Sequence, residues 1–162
     1  MASKADFSTD EWKNIVAAAP MVGLAVTCAS PNGPLGVMKE MFSMGMAMAE
    51  MIQKGSTNPL IAALIADLKE RATKAEAPPD IKNAEQGKEA ALQQIKQTVE
   101  LLNRKVPSAE ADEFKRWLMN VAQKVAEASN EGGIFGFGGQ KVSEAEQQTL
   151  RQIAGILGLP TS

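Results

Sequence analysis

The chain has 162 residues, 44% of them hydrophobic, which is enough apolar material for a single domain with a sizeable core. Its 17 basic and 19 acidic residues leave a net charge of -2, so no overall field attracts nucleic acid, and we expect no nucleic-acid partner. The absence of histidine and the single cysteine, Cys28, exclude histidine-dependent triads, intrachain disulfides and thiolate metal clusters. We expect a non-enzymatic protein of a reducing, cytoplasmic compartment, with Cys28 buried and inert; acid catalysis by paired carboxylates is the enzymatic alternative.

The first predicted helix covers residues 9–29. Ser8 and Glu11 have the spacing of a capping box, in which each side chain accepts a hydrogen bond from the backbone of the other residue. Phe7 precedes this box, and Trp12 follows it at the distance of a hydrophobic staple. These features predict a well-defined start for the helix.

Most of this helix is uncharged, since no charged residue lies between Asn14 and Met38. Pro20 is expected to kink the helix or to split it in two, and the loop 30–34 is expected to end it. The apolar piece 15–29 is shorter than the roughly 20 residues that span a bilayer. We therefore interpret it as a central helix that is buried on most of its sides.

A second amphipathic helix is predicted over residues 36–53, where apolar positions recur every three or four residues. Many of these positions are methionines, namely Met38, Met41, Met44, Met48 and Met51. We interpret them as core packing. An adaptable partner-binding face and a thioether site for a soft metal are the alternatives.

Asn58, followed by Pro59, opens a third helix that should fade near Lys74. The proline-containing stretch 75–80 is a linker that either separates two halves of the domain or connects packed helices, and we favour the second interpretation.

Three more helices follow, opened by a capping box at Asn83, by Ser108 after Pro107, and by a capping box at Ser143. The apolar residues expected on the inner faces of these helices and of the third are Leu60, Ile61, Leu64, Ile65, Leu68, Leu92, Ile95, Val99, Leu102, Phe114, Trp117, Leu118, Val121, Val125, Leu150, Ile153, Ile156 and Leu157. Because no segment shows strand alternation, the sequence predicts an all-α fold, a single compact domain over residues 1–162 with about six helices.

A unit of helix, glycine loop and helix occurs twice, around Gly33 and around Gly132. Aligning these glycines pairs similar residues on the preceding helices, namely Thr9 with Ser108, Glu11 with Glu110, Ile15 with Phe114, Ala18 with Trp117, Ala19 with Leu118, Val22 with Val121 and Val26 with Val125. The pattern predicts an internal duplication over about 7–54 and 106–158, with the helix before each loop crossing in the centre.

The second loop, 132–140, is rich in glycine and contains Phe135 and Phe137. It is not a phosphate-binding loop, because a helix precedes it and Lys141 does not directly follow its last glycine. Packing of the aromatic rings into the core is the leading interpretation. The alternative is a peripheral membrane or protein-partner binding module that inserts both phenylalanines into its target. As partners we expect another protein or a second copy of the chain, with membrane-surface contact as the alternative.

Glutamates lie near the start of the helix after each loop, at Glu40 and Glu146. Together with Asn32, Glu131 and Glu144 as secondary ligands, they form a candidate all-oxygen site for a divalent cation, calcium or magnesium. Neither loop has the ligand spacing of an EF-hand. The alternative is that these carboxylates cap their helices and interact with the helix dipole.

Each loop thus combines three features: an alanine-rich helix end, a polar residue before a glycine, and a glutamate near the start of the next helix. The polar residue is Asn32 in the first loop and Glu131 in the second, and the glutamate is Glu40 after the first loop and Glu146 after the second. This pattern resembles the TerB-like tellurite-resistance family, whose members are compact helical proteins with an internal duplication. Asn32 and Glu131 stand where that family has an aspartate, and the long Phe/Gly insertion is a second departure. The resemblance implies a non-enzymatic, metal-linked role in stress response or as a scaffold, within a larger assembly near the inner membrane surface.

Overall fold

A computed structural model of the protein describes residues 1–29, 49–50, 52–73, 83–131 and 142–160, and for 71–73 and 128–131 it describes the backbone alone. Five long helices make up most of this part of the chain: α1 (Thr9–Ala29), α2 (Pro59–Thr73), α3 (Ala84–Lys105), α4 (Ser108–Glu131) and α5 (Glu144–Leu157). A short 3-10 turn, Lys4–Asp6, precedes α1, and residues 49–50 and 52–54 are also helical. No strand occurs among the described residues, so the predicted all-α, single-domain class is confirmed.

The predicted start of α1 is confirmed. The Ser8 N–H donates to Glu11 Oε2 at 2.8 Å, and the Glu11 N–H donates to Ser8 Oγ at 3.3 Å. The centroids of the Phe7 and Trp12 rings lie 6.0 Å apart, which forms the hydrophobic staple over this box. Pro20 lies inside the helix without splitting it, so the split is excluded. Buried residues on both sides of the proline hold the helix together across the missing hydrogen bond.

Helix α1 is the central helix, since it packs against each of the other four. Helices α3, α4 and α5 also pack against one another, whereas α2 packs mainly on α1. Among the described helices, only α1 is long and apolar enough to cross a membrane, and 67% of its apolar stretch is buried inside the fold. Burial in the core therefore accounts for the lack of charge along this helix.

Side-chain caps begin three of the other helices at the predicted residues, although the box predicted at Asn83 lacks the reciprocal bond to the Gln86 side chain. Asn58 and Asn83 each accept hydrogen bonds through Oδ1 from two backbone N–H groups of the turn that follows, and Ser143 forms a complete capping box. Helix α4 differs, because it begins at Ser108 itself and its first helical hydrogen bond is accepted by the Pro107 carbonyl. The predicted cap at Ser108 is therefore wrong by one position. Pro107 can occupy the capping position because proline lacks only the backbone N–H, and its carbonyl still accepts the first helical hydrogen bond.

Most of the predicted inner-face residues are buried, but Leu92, Leu150 and Ile156 are only half-buried. These three side chains line grooves that run along α5 and that the neighbouring helices do not fill. Cys28 is also half-buried rather than buried, because it lies in the last turn of α1, one residue before the helix ends.

Helices α1 and α4 bury equivalent positions of the predicted repeat. They begin at Thr9 and Ser108, which the sequence alignment pairs. The aligned apolar residues are buried in both helices: Ile15 and Phe114, Ala18 and Trp117, Ala19 and Leu118, Val22 and Val121, Val26 and Val125. The two helices are thus equivalent in which of their positions are buried, and the internal duplication itself stays a prediction. Both loops, most of the methionine-rich segment and the linker 75–80 lie outside the described residues.

Candidate functional site

Two of the five predicted metal ligands, Glu144 and Glu146, have described side chains, and both lie in the first turn of α5. Glu146 is 2% exposed, and its Oε2 accepts a hydrogen bond of 2.8 Å from the Ser143 N–H. Ser143 Oγ accepts a bond of 3.2 Å from the Glu146 N–H in return. Glu146 is therefore a helix cap in this fold, whereas Glu144 is exposed to solvent.

Asn32, Glu40 and the side chain of Glu131 lie outside the described residues. Within the described ranges, no three histidine, cysteine, aspartate or glutamate side chains are grouped so that they could hold a metal ion. The convergence of Glu40 with Glu146 stays a prediction. The same holds for the insertion of Phe135 and Phe137 into a partner or membrane, because these residues also lie outside the described part.

A groove of about 560 Å³ lies between α4 and α5, the two helices that flank the glycine-rich loop 132–140 in the sequence. Its volume is within the range of ligand-binding pockets. Each wall is a single helical stripe with the spacing i, i+3, i+4 and i+7, which places all four side chains on one face. The lining residues are Arg116, Met119, Asn120 and Gln123 on α4, and Gln147, Leu150, Arg151 and Ala154 on α5.

A tight turn after α5 adds two residues to the lining. Gly158 has a φ of +70°, in the left-handed region that favours glycine. Its N–H donates to the Gly155 carbonyl at 3.2 Å, and the Leu159 N–H donates to the Ala154 carbonyl at 2.9 Å, which are the two bonds of a Schellman motif. This motif reverses the chain so that Leu159 and Pro160 line the groove together with Ala154.

The lining combines half-buried apolar side chains with exposed guanidinium groups. Met119, Leu150 and Leu159 are half-buried, whereas Arg116 and Arg151 are exposed. Neither guanidinium has a hydrogen-bond or ion-pair partner within the described part of the chain, and no aspartate or glutamate described there lines the groove. The groove therefore presents two positive charges that the described residues leave unneutralised.

Two neighbouring grooves have a different charge. The groove between α3 and α5 contains one residue of each sign, Lys96 and Glu100. The groove between α1 and α3 contains Asp10, Glu11 and Glu100 against a single cation, Arg104. An excess of positive charge thus distinguishes the α4–α5 groove from these two.

Basic residues near the start of α1 are, by contrast, already paired. Glu11 Oε2 lies 2.6 Å from Lys105 Nζ, and Glu11 Oε1 lies 3.5 Å from Arg104 Nη2. The hydrogen bond from Lys105, reinforced by the one from the Ser8 N–H, lowers the pKa of Glu11 to about 2. These contacts tie α1 to α3, so this cluster serves the fold.

The groove residues are not among the site residues predicted from the sequence. A signal for them exists, because each helix carries an arginine and a large apolar residue on one face beside its core stripe: Arg116 and Met119 on α4, Arg151 and Leu150 on α5. The meeting of these two faces in one groove depends on how α4 and α5 pack, which no pattern within a single helix contains.

Comparison of the chain with protein-family models, with curated proteins and with solved structures yields no match. The resemblance to the TerB-like family is not addressed by this result and stays a prediction. It rests on the two loop patterns, most of which lie outside the described residues.

Proposed function

We propose that this protein is a non-enzymatic scaffold that binds a helical segment of a partner protein in the α4–α5 groove. The observation that carries the proposal is the pair of helical stripes, identical in spacing, that form the two walls. A convex helix fits between two such walls, as amphipathic helices do in other helix-in-groove complexes.

The size of the walls defines how much of a partner is bound. Each stripe extends over about two helical turns, or roughly 10 Å. Met119 and Leu150 are half-buried at the walls and provide apolar contacts for a stripe of the bound helix. A contact of two turns is small, so we expect a weak, reversible complex rather than an obligate one.

The shape of the groove favours a protein partner over a lipid surface. Its apolar side chains are half-buried between two helices, so a convex helix that enters the groove contacts more of them than a flat bilayer does. The thioether of Met119 adapts to different apolar contacts, which suits a scaffold with more than one target. Because the chain has one cysteine and no capacity for an intrachain disulfide, we assign this scaffold to the cytoplasm.

Selection from a phage-displayed library of helical peptides tests the proposal. Peptides of about 15 residues with randomised faces are enriched on the purified chain, and their binding is measured by fluorescence anisotropy. We expect an apolar stripe at i, i+3 or i+4, and i+7 in the enriched peptides. Leu150→Gln should weaken their binding by about tenfold or more, because it places an amide at the centre of the apolar contact.

Ile156→Gln is the matched control. Ile156 is also a half-buried apolar residue of α5, but it lines the groove on the α3 side. This variant should bind the selected peptides as the unmodified chain does. Enrichment of no helical peptide, or equal binding by the Leu150→Gln chain and the unmodified chain, would show that the groove is not the binding site.

A further inference from the structure

We infer that the helix received by the groove is acidic, and that Arg116 and Arg151 bind its carboxylates from opposite walls. The inference rests on the proposed function, since it names the chemistry of the partner that the groove selects. It depends on the charge of the lining, whereas the proposed function depends on the shape of the lining.

Charge complementarity is the first argument. Arg116 and Arg151 are exposed, and each lacks an ionic partner within the described residues, whereas Arg104 lies 3.5 Å from a carboxylate of Glu11. The chain as a whole is slightly acidic, with a net charge of -2, so a positive groove is a local feature. A basic helix would be repelled from such a groove, and a neutral one would leave both guanidinium groups unpaired.

The placement of the arginines is the second argument. Each lies on the same helical stripe as an apolar side chain, Arg116 with Met119 and Arg151 with Leu150. A bound helix that presents an apolar stripe to Met119 and Leu150 therefore directs its flanking side chains towards one arginine on each side. Glutamate or aspartate at those flanks can pair with the planar guanidinium through two hydrogen bonds.

A small carboxylate ligand fits this lining less well. It would pair with one guanidinium but leave most of the apolar surface of Met119 and Leu150 uncovered. An acidic amphipathic helix satisfies both kinds of surface at once, because its charges lie on either side of its apolar stripe.

Three synthetic peptides test the inference. They share one apolar stripe of leucines and differ only at the flanking positions, which are all glutamate, all glutamine or all lysine. Binding is measured by NMR titration of the full chain at low ionic strength. We expect the glutamate peptide to bind about five- to twentyfold more tightly than the glutamine peptide, as two exposed ion pairs allow, and the lysine peptide to bind most weakly. The difference should shrink as salt is added.

Matched variants locate the effect. The preference for glutamate should disappear in the double variant Arg116→Gln, Arg151→Gln and persist in Lys69→Gln, Lys96→Gln. Lys69 and Lys96 are exposed residues outside the groove, so the control variant has the same net charge as the test variant. All four substitutions are at exposed positions, and the NMR spectrum reports directly whether each chain is folded.

The outcomes separate the inference from the proposed function. Equal binding of the glutamate and glutamine peptides overturns the acidic partner but leaves a helix-binding groove. A glutamate preference that survives in the double arginine variant also overturns it. Failure of every peptide to bind overturns both proposals. If phosphatidylglycerol vesicles bind more tightly than the glutamate peptide, and do so only through both arginines, the site recognises an anionic lipid surface and the inference is wrong.

Discussion

Replacing Glu146 by glutamine tests whether the buried carboxylate at the start of α5 acts as a helix cap. Its Oε2 lies 2.8 Å from the Ser143 nitrogen, and the residue is only 2% exposed, so water does not replace the bond easily. Glutamine keeps the shape and an acceptor oxygen but removes the charge from the positive end of the helix. We expect a loss of about 1 kcal/mol for Glu146→Gln, and about 2 kcal/mol for Glu146→Ala, which removes the acceptor as well.

Urea and thermal unfolding measure these losses, and about 1 kcal/mol corresponds to a fall of roughly 2–4 °C in Tm for a chain of this size. Glu144→Gln is the control, because Glu144 lies in the same turn but is exposed, so its loss should stay within about 0.5 kcal/mol. Ser143→Ala should cost about 1 kcal/mol and should be non-additive with Glu146→Gln, since the two residues cap each other.

An unchanged stability of Glu146→Gln would refute the capping argument. A second informative result is a rise in Tm with millimolar calcium or magnesium that occurs in the unmodified chain and is absent from Glu146→Gln. That second result would support the metal site predicted from the sequence, because a ligand that binds only the folded chain stabilises it. Calorimetric titration with calcium, magnesium and manganese measures the same binding directly.

Three further predictions concern the fold. The hydrogen bond from Lys105 lowers the pKa of Glu11 to about 2, so this bond stabilises the fold fully above the ordinary pKa of 4.5 and is lost as the pH falls towards 2. The stability difference between the unmodified chain and Glu11→Gln should therefore shrink over that interval in acid-unfolding curves. Gly158→Ala should cost about 1 kcal/mol in thermal unfolding, because φ at this residue is +70°, even though no atom lies within 4 Å of an added Cβ. Gly155→Ala is the control, since Gly155 is equally unobstructed but helical, and this variant should not be destabilised. Thr98→Val should cost about 1 kcal/mol in urea unfolding, because it removes the 2.7 Å bond from the Thr98 hydroxyl to Asn14 Oδ1 between α3 and α1. A variant as stable as the unmodified chain would show that this partly buried bond contributes nothing net.

Features that depend on a few neighbouring residues were predictable. The capping box at Ser8 and the cap at Asn83 lie at the predicted positions, and α1 has the predicted bounds of Thr9 and Ala29. Helix caps and apolar periodicity act over one or two turns, so the chain specifies them wherever those turns are placed. The inward residues of α4, such as Phe114 and Val121, follow from the same short-range pattern.

Features that depend on packing were not predictable in this way. Pro20 stays inside one continuous helix because buried residues on both sides of it outweigh a lost hydrogen bond. Leu150 has the spacing of a core residue but remains half-buried, because the packing of α4 against α5 leaves a groove beside it. Local sequence establishes which side chains share a helix face, whereas only the packed helices establish whether that face is covered.

The groove illustrates the same division. Helix formation places Arg116 with Met119 and Arg151 with Leu150, and this much follows from residue spacing within each helix. The packing of α4 against α5 brings the two faces together and leaves both arginines without described partners. A binding surface made by two separate helices is a property of their relative position, and that position is determined by the burial of apolar residues throughout the core.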